Sequence, residues 1–94
     1  MLVAVMCFDK PGNMDLRKET RPAHLAWLGD ADIGLVHGGP ILADDGETPM
    51  GSLIIAEFET LAAARAFFAE DPYTKAGVFE HVMIQPIRKV LPAA

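Results

Sequence analysis

Apolar and polar positions divide this chain into short blocks. Leu2 to Phe8 is an unbroken apolar run containing Val3 and Val5, and Asp9-Lys10-Pro11-Gly12 ends it. At that length, bounded by turn residues, it predicts a buried strand rather than a helix. Asn13 or Asp15 then caps a helix that runs to about Leu28 and stops at Gly29. Leu16, Thr20, Ala23 and Trp27 follow one helical row, with His24 and Leu28 on the adjoining one. Pro22 leaves two readings open: a kink in one helix, or the first position of a second helix beginning near Thr20-Arg21. Ile33 to His37 predicts a strand that passes into Gly38-Gly39-Pro40-Ile41-Leu42, where the paired glycines indicate a bulge or a close backbone approach. A polar, mobile turn over Ala43 to Pro49 leads to a third strand over Ser52 to Phe58. Thr60 caps a second helix, Leu61 to Glu70, with Leu61, Ala64 and Phe68 on one row and Ala63 and Phe67 beside it. Asp71-Pro72-Tyr73 ends that helix and starts a short new turn. Val78 to Val90 is the last predicted strand, with Pro86 indicating a sheet edge or a bulge.

The resulting order, β-α-β-β-α-β, is that of the ferredoxin-like α+β plan, a four-stranded antiparallel sheet with both helices on one face. The first and third strands are apolar on both sides, yet two helices cover only one. A face-to-face pairing of sheets in a homodimer is the expected cover for the other. Composition agrees: 94 residues predict one domain spanning 1–94, and 51% hydrophobic residues is generous for so small a core.

Charge and cysteine usage remove several classes of function. A formal net charge of −5, with basic residues scattered, argues against a nucleic-acid partner. Leu2 to Phe8 follows no basic stretch and is too short to span a membrane, so no membrane segment is expected. A single cysteine, Cys7, forms no internal disulfide and suits a reducing cytoplasm, where it is expected buried in a strand. His24, His37 and His81 match no metal-ligand spacing, and Gly38-Gly39-Pro40 lacks the lysine and helix of a phosphate-binding loop. Neither a metal nor a cofactor is expected.

The chemistry concentrates in Arg21-Pro22-Ala23-His24-Leu25, which sets an imidazole beside the buried row of a helix. In this plan the end of the first strand, the end of the second, the start of the third and the end of the second helix share one rim of the sheet. His24, Arg21, Gly39, Ser52, Asp71 and Tyr73 are thereby brought toward one pocket, with the acidic hairpin tip placed to cover it. A histidine paired with a carboxylate is a general acid–base group, the carboxylate fixing the tautomer. Asp71 also serves as a helix cap, a role compatible with the first. Arg21 suits a carboxylate or phenolate, Ser52 a ligand hydrogen bond, and Gly39 a backbone contact; Tyr73 is a packed aromatic with a hydroxyl to place.

The same segments carry a resemblance covering nearly the whole chain. Arg21-Pro22-Ala23-His24-Leu25, Gly39-Pro40, Gly51-Ser52, Ala56-Glu57-Phe58-Glu59, Asp71-Pro72-Tyr73 with Ala76-Gly77-Val78, and Gln85-Pro86-Ile87-Arg88-Lys89-Val90 are together similar to the YciI-like (YCII-related) family. The resemblance implies a dimeric α+β barrel with an active site built on a His and an Asp, which map to His24 and Asp71. His37 and Gly38 depart from the family's pattern. Two functions remain: a small enzyme moving protons on an aromatic or carbonyl compound by isomerisation or elimination, or a dimeric domain that binds a small ligand without transforming it.

Overall fold

The computed structural model describes residues 1–93. Its elements are β1 (Leu2–Asp9), α1 (Met14–Gly29), β2 (Leu35–Leu42), β3 (Pro49–Glu57), α2 (Leu61–Phe68), α3 (Pro72–Ala76) and β4 (Phe79–Pro86). The four strands form one sheet in the order β2-β3-β1-β4, with every neighbouring pair antiparallel. This is the ferredoxin-like α+β arrangement that the hydrophobic pattern predicts, with α3 as the short turn after Asp71.

Alternation along the central strands explains the layering. Val3, Val5 and Cys7 of β1 and Ile54 of β3 are buried and join Leu28, Ala64 and Phe68 of the helices in one core. Trp27 stacks on Phe67 at 4.5 Å, and Phe58 and Phe68 meet edge-on at 5.8 Å, so aromatic packing closes the α1–α2 side. On the reverse face of the sheet, Met6 pairs with Leu53 and Met83, and Ala4 with Ile55. Met6 and Met83 stay exposed in the single chain.

Pro22 lies inside a single helix, which settles the two readings in favour of a continuous α1. It sits on the exposed side, where losing the bond to the Lys18 carbonyl leaves that oxygen to solvent. The row of Leu16, Thr20, Ala23 and Trp27 is not the deepest one: Ala23 is exposed, whereas Arg17, His24 and Leu28 are buried. Asn13 is the N-cap but makes no capping bond. Its amide instead donates to the carbonyls of Gly77 and Val78 at 3.2 and 3.3 Å, tying the start of α1 to the end of α3.

Four boundaries differ from the pattern. Strand β2 starts at Leu35 because Gly34 turns with φ +55 and its carbonyl, with that of Ile33, accepts from Glu57 N. Helix α2 ends at Phe68, two residues before Glu70, and β3 begins at Pro49, ahead of Ser52. Strand β4 is an edge strand that finishes at Pro86, after which Ile87 N donates a last bond to the Leu2 carbonyl at 2.9 Å. The irregularities of β2 flank its glycine pair, between Leu35 and His37 and between Ile41 and Leu42. The close backbone approach is at Gly51 instead, where an added Cβ would fall on the Cys7 carbonyl oxygen.

Cys7 has the burial expected of it, and burial, helped by the Asp71 charge, pushes its thiol up to about 12 from 9.0. A raised folded-state value means its contribution to stability is whole below pH 9 and is lost as pH rises toward 12. Native protein at pH 8 is therefore expected to resist a thiol reagent, and urea-unfolded protein to react within minutes; a thiol counted at once in the native protein would show Cys7 to be exposed.

Candidate active site

The start of α3 sets the carboxylate. Asp71 caps that helix by accepting from Tyr73 N at 2.9 Å, with Pro72 in the first turn, and only 2% of it is exposed. The same oxygen lies 2.8 Å from His24 Nδ1. An ionised carboxylate only accepts, so Nδ1 carries the proton and donates it. Among the described residues no group engages the other ring nitrogen, and no buried side-chain nitrogen or oxygen lacks a partner. Nε2 is thus reached from the cavity that His24 lines. Tyr73, fully buried, stacks on the imidazole at 4.1 Å and fixes the plane of the ring.

A second polar chain runs beside the first. Arg17 Nε donates to Asp9 Oδ2 at 2.7 Å, and Arg17 Nη2 donates to Ser52 Oγ at 2.7 Å. The guanidinium lies over the Tyr73 ring, 4.6 Å from its centroid, so both chains rest on one aromatic. Burial raises the Tyr73 pKa against the opposing charges of Arg17 and Arg21, leaving a neutral phenol. Because Ser52 Oγ receives a charged donor, its own O–H is polarised and free to donate. No acceptor among the described residues takes that proton.

These groups border a cavity of about 350 Å³ between α1 and the β2–β3 end of the sheet. Its walls include Arg17, Arg21, His24 and Leu28 from one face of α1, with Ser52 and Tyr73. Gly39 and Pro40 supply the β2 side, as the position of Gly39 led one to expect. All six residues singled out in the sequence fall here: five line the cavity, and Asp71 stands behind His24. Arg17 and Asp9 were not singled out. The signal for Arg17 was a helical row, Met14, Arg17, Arg21, His24 and Leu28, spaced by three and four residues, whereas Asp9, at the end of β1, carried none.

The hairpin tip does not cover the cavity, for no residue from 43 to 48 lines it. That tip is also braced rather than loose: Asp45 accepts from the backbone N–H groups of Glu47 and Thr48, each at 2.8 Å. His37 pairs with Ile55 and His81 with Phe8 on the reverse face of the sheet, away from His24. No group of three potential metal ligands occurs among the described residues.

The model of the YCII-related domain matches residues 1–88. The chain belongs to that family. It is 44% identical to protein YciI of Escherichia coli O6:H1, over 96% of this chain and 99% of that one. It is 38% identical over the same shares to a protein of Haemophilus influenzae. Among solved structures, the 5-chloro-2-hydroxyhydroquinone dehydrochlorinase of Burkholderia phenoliruptrix, in complex with 2,5-dihydroxybenzoquinone, superposes with a TM-score of 0.85. The two are 32% identical, and the match covers 94% of each chain. An antibiotic biosynthesis monooxygenase matches at a TM-score of 0.56 and 15% identity, a likeness of fold alone.

Proposed function

We propose that this YCII-related chain is a small enzyme in which His24 and Asp71 carry acid–base chemistry, an elimination or isomerisation, on an aromatic or carbonyl compound. The observation that carries it is the buried 2.8 Å contact of His24 Nδ1 with Asp71, which leaves Nε2 facing a cavity with room for a substituted ring. In an elimination, Nε2 takes a proton from the substrate. The electron pair of that bond moves into a new π bond, and the leaving group departs with the pair of the bond that breaks. Asp71 stabilises the imidazolium that forms, and the Ser52 hydroxyl donates to the substrate oxygen on which charge accumulates. The imidazolium then returns its proton to solvent or to the product. The similar structure named as a dehydrochlorinase supports this class of reaction. Incubation with 5-chloro-2-hydroxyhydroquinone tests it: chloride release well above the spontaneous rate is expected, and release no faster than with Asp71→Asn protein would contradict it.

The working unit we propose is a homodimer closed through the reverse sheet face, where Met6, Leu53, Ile55 and Met83 form an apolar surface. Leu53→Glu buries a charge twice across a two-fold interface. It is expected to weaken dimerisation by roughly 100-fold or more, read by sedimentation equilibrium. A wild-type chain that sediments as a monomer would contradict the dimer. Among the described residues no helix is long and apolar enough to cross a membrane.

A further inference from the structure

The face that α1 turns to the cavity carries charge where an apolar stripe would be usual. Arg17, Lys18 and Arg21 all line the cavity, and no Asp or Glu does. The chain as a whole has the opposite bias, 13 acidic residues against 8 basic ones. The Arg17 charge is matched by Asp9 at 2.7 Å. Lys18 and Arg21 enter none of the ion pairs among the described residues. Both are exposed at the cavity mouth. At 100° per residue, the acids of the same helix, Asp15 and Glu19, fall on its solvent side. A ligand entering here meets two unmatched cations first and the polarised Ser52 hydroxyl after them.

We propose that the cavity selects a small organic anion, an enolate, phenolate or carboxylate, and that Lys18 and Arg21 make the selection. The proposal rests on reading this cavity as the ligand site. A volume of about 350 Å³ has room for a substituted ring. Arg21 offers a planar pair of N–H donors to such a group, and Lys18 a mobile point charge beside it. Because both side chains are wet at their ends, their attraction acts through a screened field. It therefore weakens as salt shortens the Debye length from about 10 Å at 0.1 M to about 3 Å at 1 M.

The test is calorimetric titration of the full chain with 2,5-dihydroxybenzoquinone, whose two hydroxyls are vinylogous acids, and with its neutral dimethyl ether. The anion is expected to bind at least about 30-fold more tightly than the ether at low salt. Lys18→Gln with Arg21→Gln should remove roughly 10-fold or more of the anion's affinity and leave the ether's within about 3-fold. Equal affinity for the two probes, loss of both together in the double variant, or binding of neither would overturn the proposal. The readout is binding, so its failure is distinct from that of the enzyme reading. Rim-dependent anion binding without any turnover sustains this proposal while removing the other.

Discussion

Replacing His24 by Asn is expected to lower turnover by about 10²- to 10⁴-fold, the range that a positioned acid–base group supplies. Asparagine keeps a nitrogen that can donate toward Asp71, so the buried carboxylate keeps a partner and the fold is expected to hold. What disappears is the basic Nε2. Asp71→Asn is expected to lower turnover by another path, since an amide whose Oδ1 keeps the cap at the start of α3 and still accepts from Nδ1 carries no charge to stabilise the imidazolium. Turnover should fall in kcat with little change in KM for both variants, because the proton moves only in the transition state. A change confined to KM, measured by steady-state kinetics, would assign His24 to binding.

The second large effect is on stability. Arg17→Met removes the cation from a pair whose side chains are 6% and 10% exposed, and leaves Asp9 with no partner of opposite charge. Breaking one side of a buried pair costs about 3–5 kcal/mol. In a domain of this size that corresponds to a fall in Tm of roughly 15 °C or more. Asp9→Leu together with Arg17→Met removes both charges and is expected to recover much of the loss. The cycle of single and double variants, followed by urea denaturation, separates the pair's own coupling from lost packing on Tyr73. A single variant within about 1 kcal/mol of wild type would show that the pair is solvated.

Much of the fold was legible because its signals are local and repeated. The unbroken apolar run Leu2–Phe8, the Thr60 cap and the Asp71-Pro72 start each name an element, and their order admits few sheet topologies. The His24–Asp71 pairing was legible for the same reason: topology brings the two segments to one rim, and the helix cap places the carboxylate. Arg17 was not, because a charged residue between Leu16 and Lys18 reads as solvent-facing, and Asp9 reads as a turn residue after a strand. Only the return of α1 over the end of β1 makes them a pair. Gly51 was illegible for a related reason, since the need for glycine arises from the Cys7 carbonyl across the ladder. The rotation of α1 was misjudged because its deepest row carries Arg17 and His24, so counting apolar residues put the buried stripe about one row away.

The proton transfer proposed for His24 can be tested without first finding a substrate. The ring hydrogens of 2,5-dihydroxybenzoquinone exchange with D₂O, and their loss is followed by ¹H NMR with protein in catalytic amount. Wild-type protein is expected to accelerate the exchange by at least about 100-fold over His24→Asn protein that binds the compound equally well. Equal exchange rates for the two proteins, with the compound bound by both, would contradict a proton-transferring role for the imidazole.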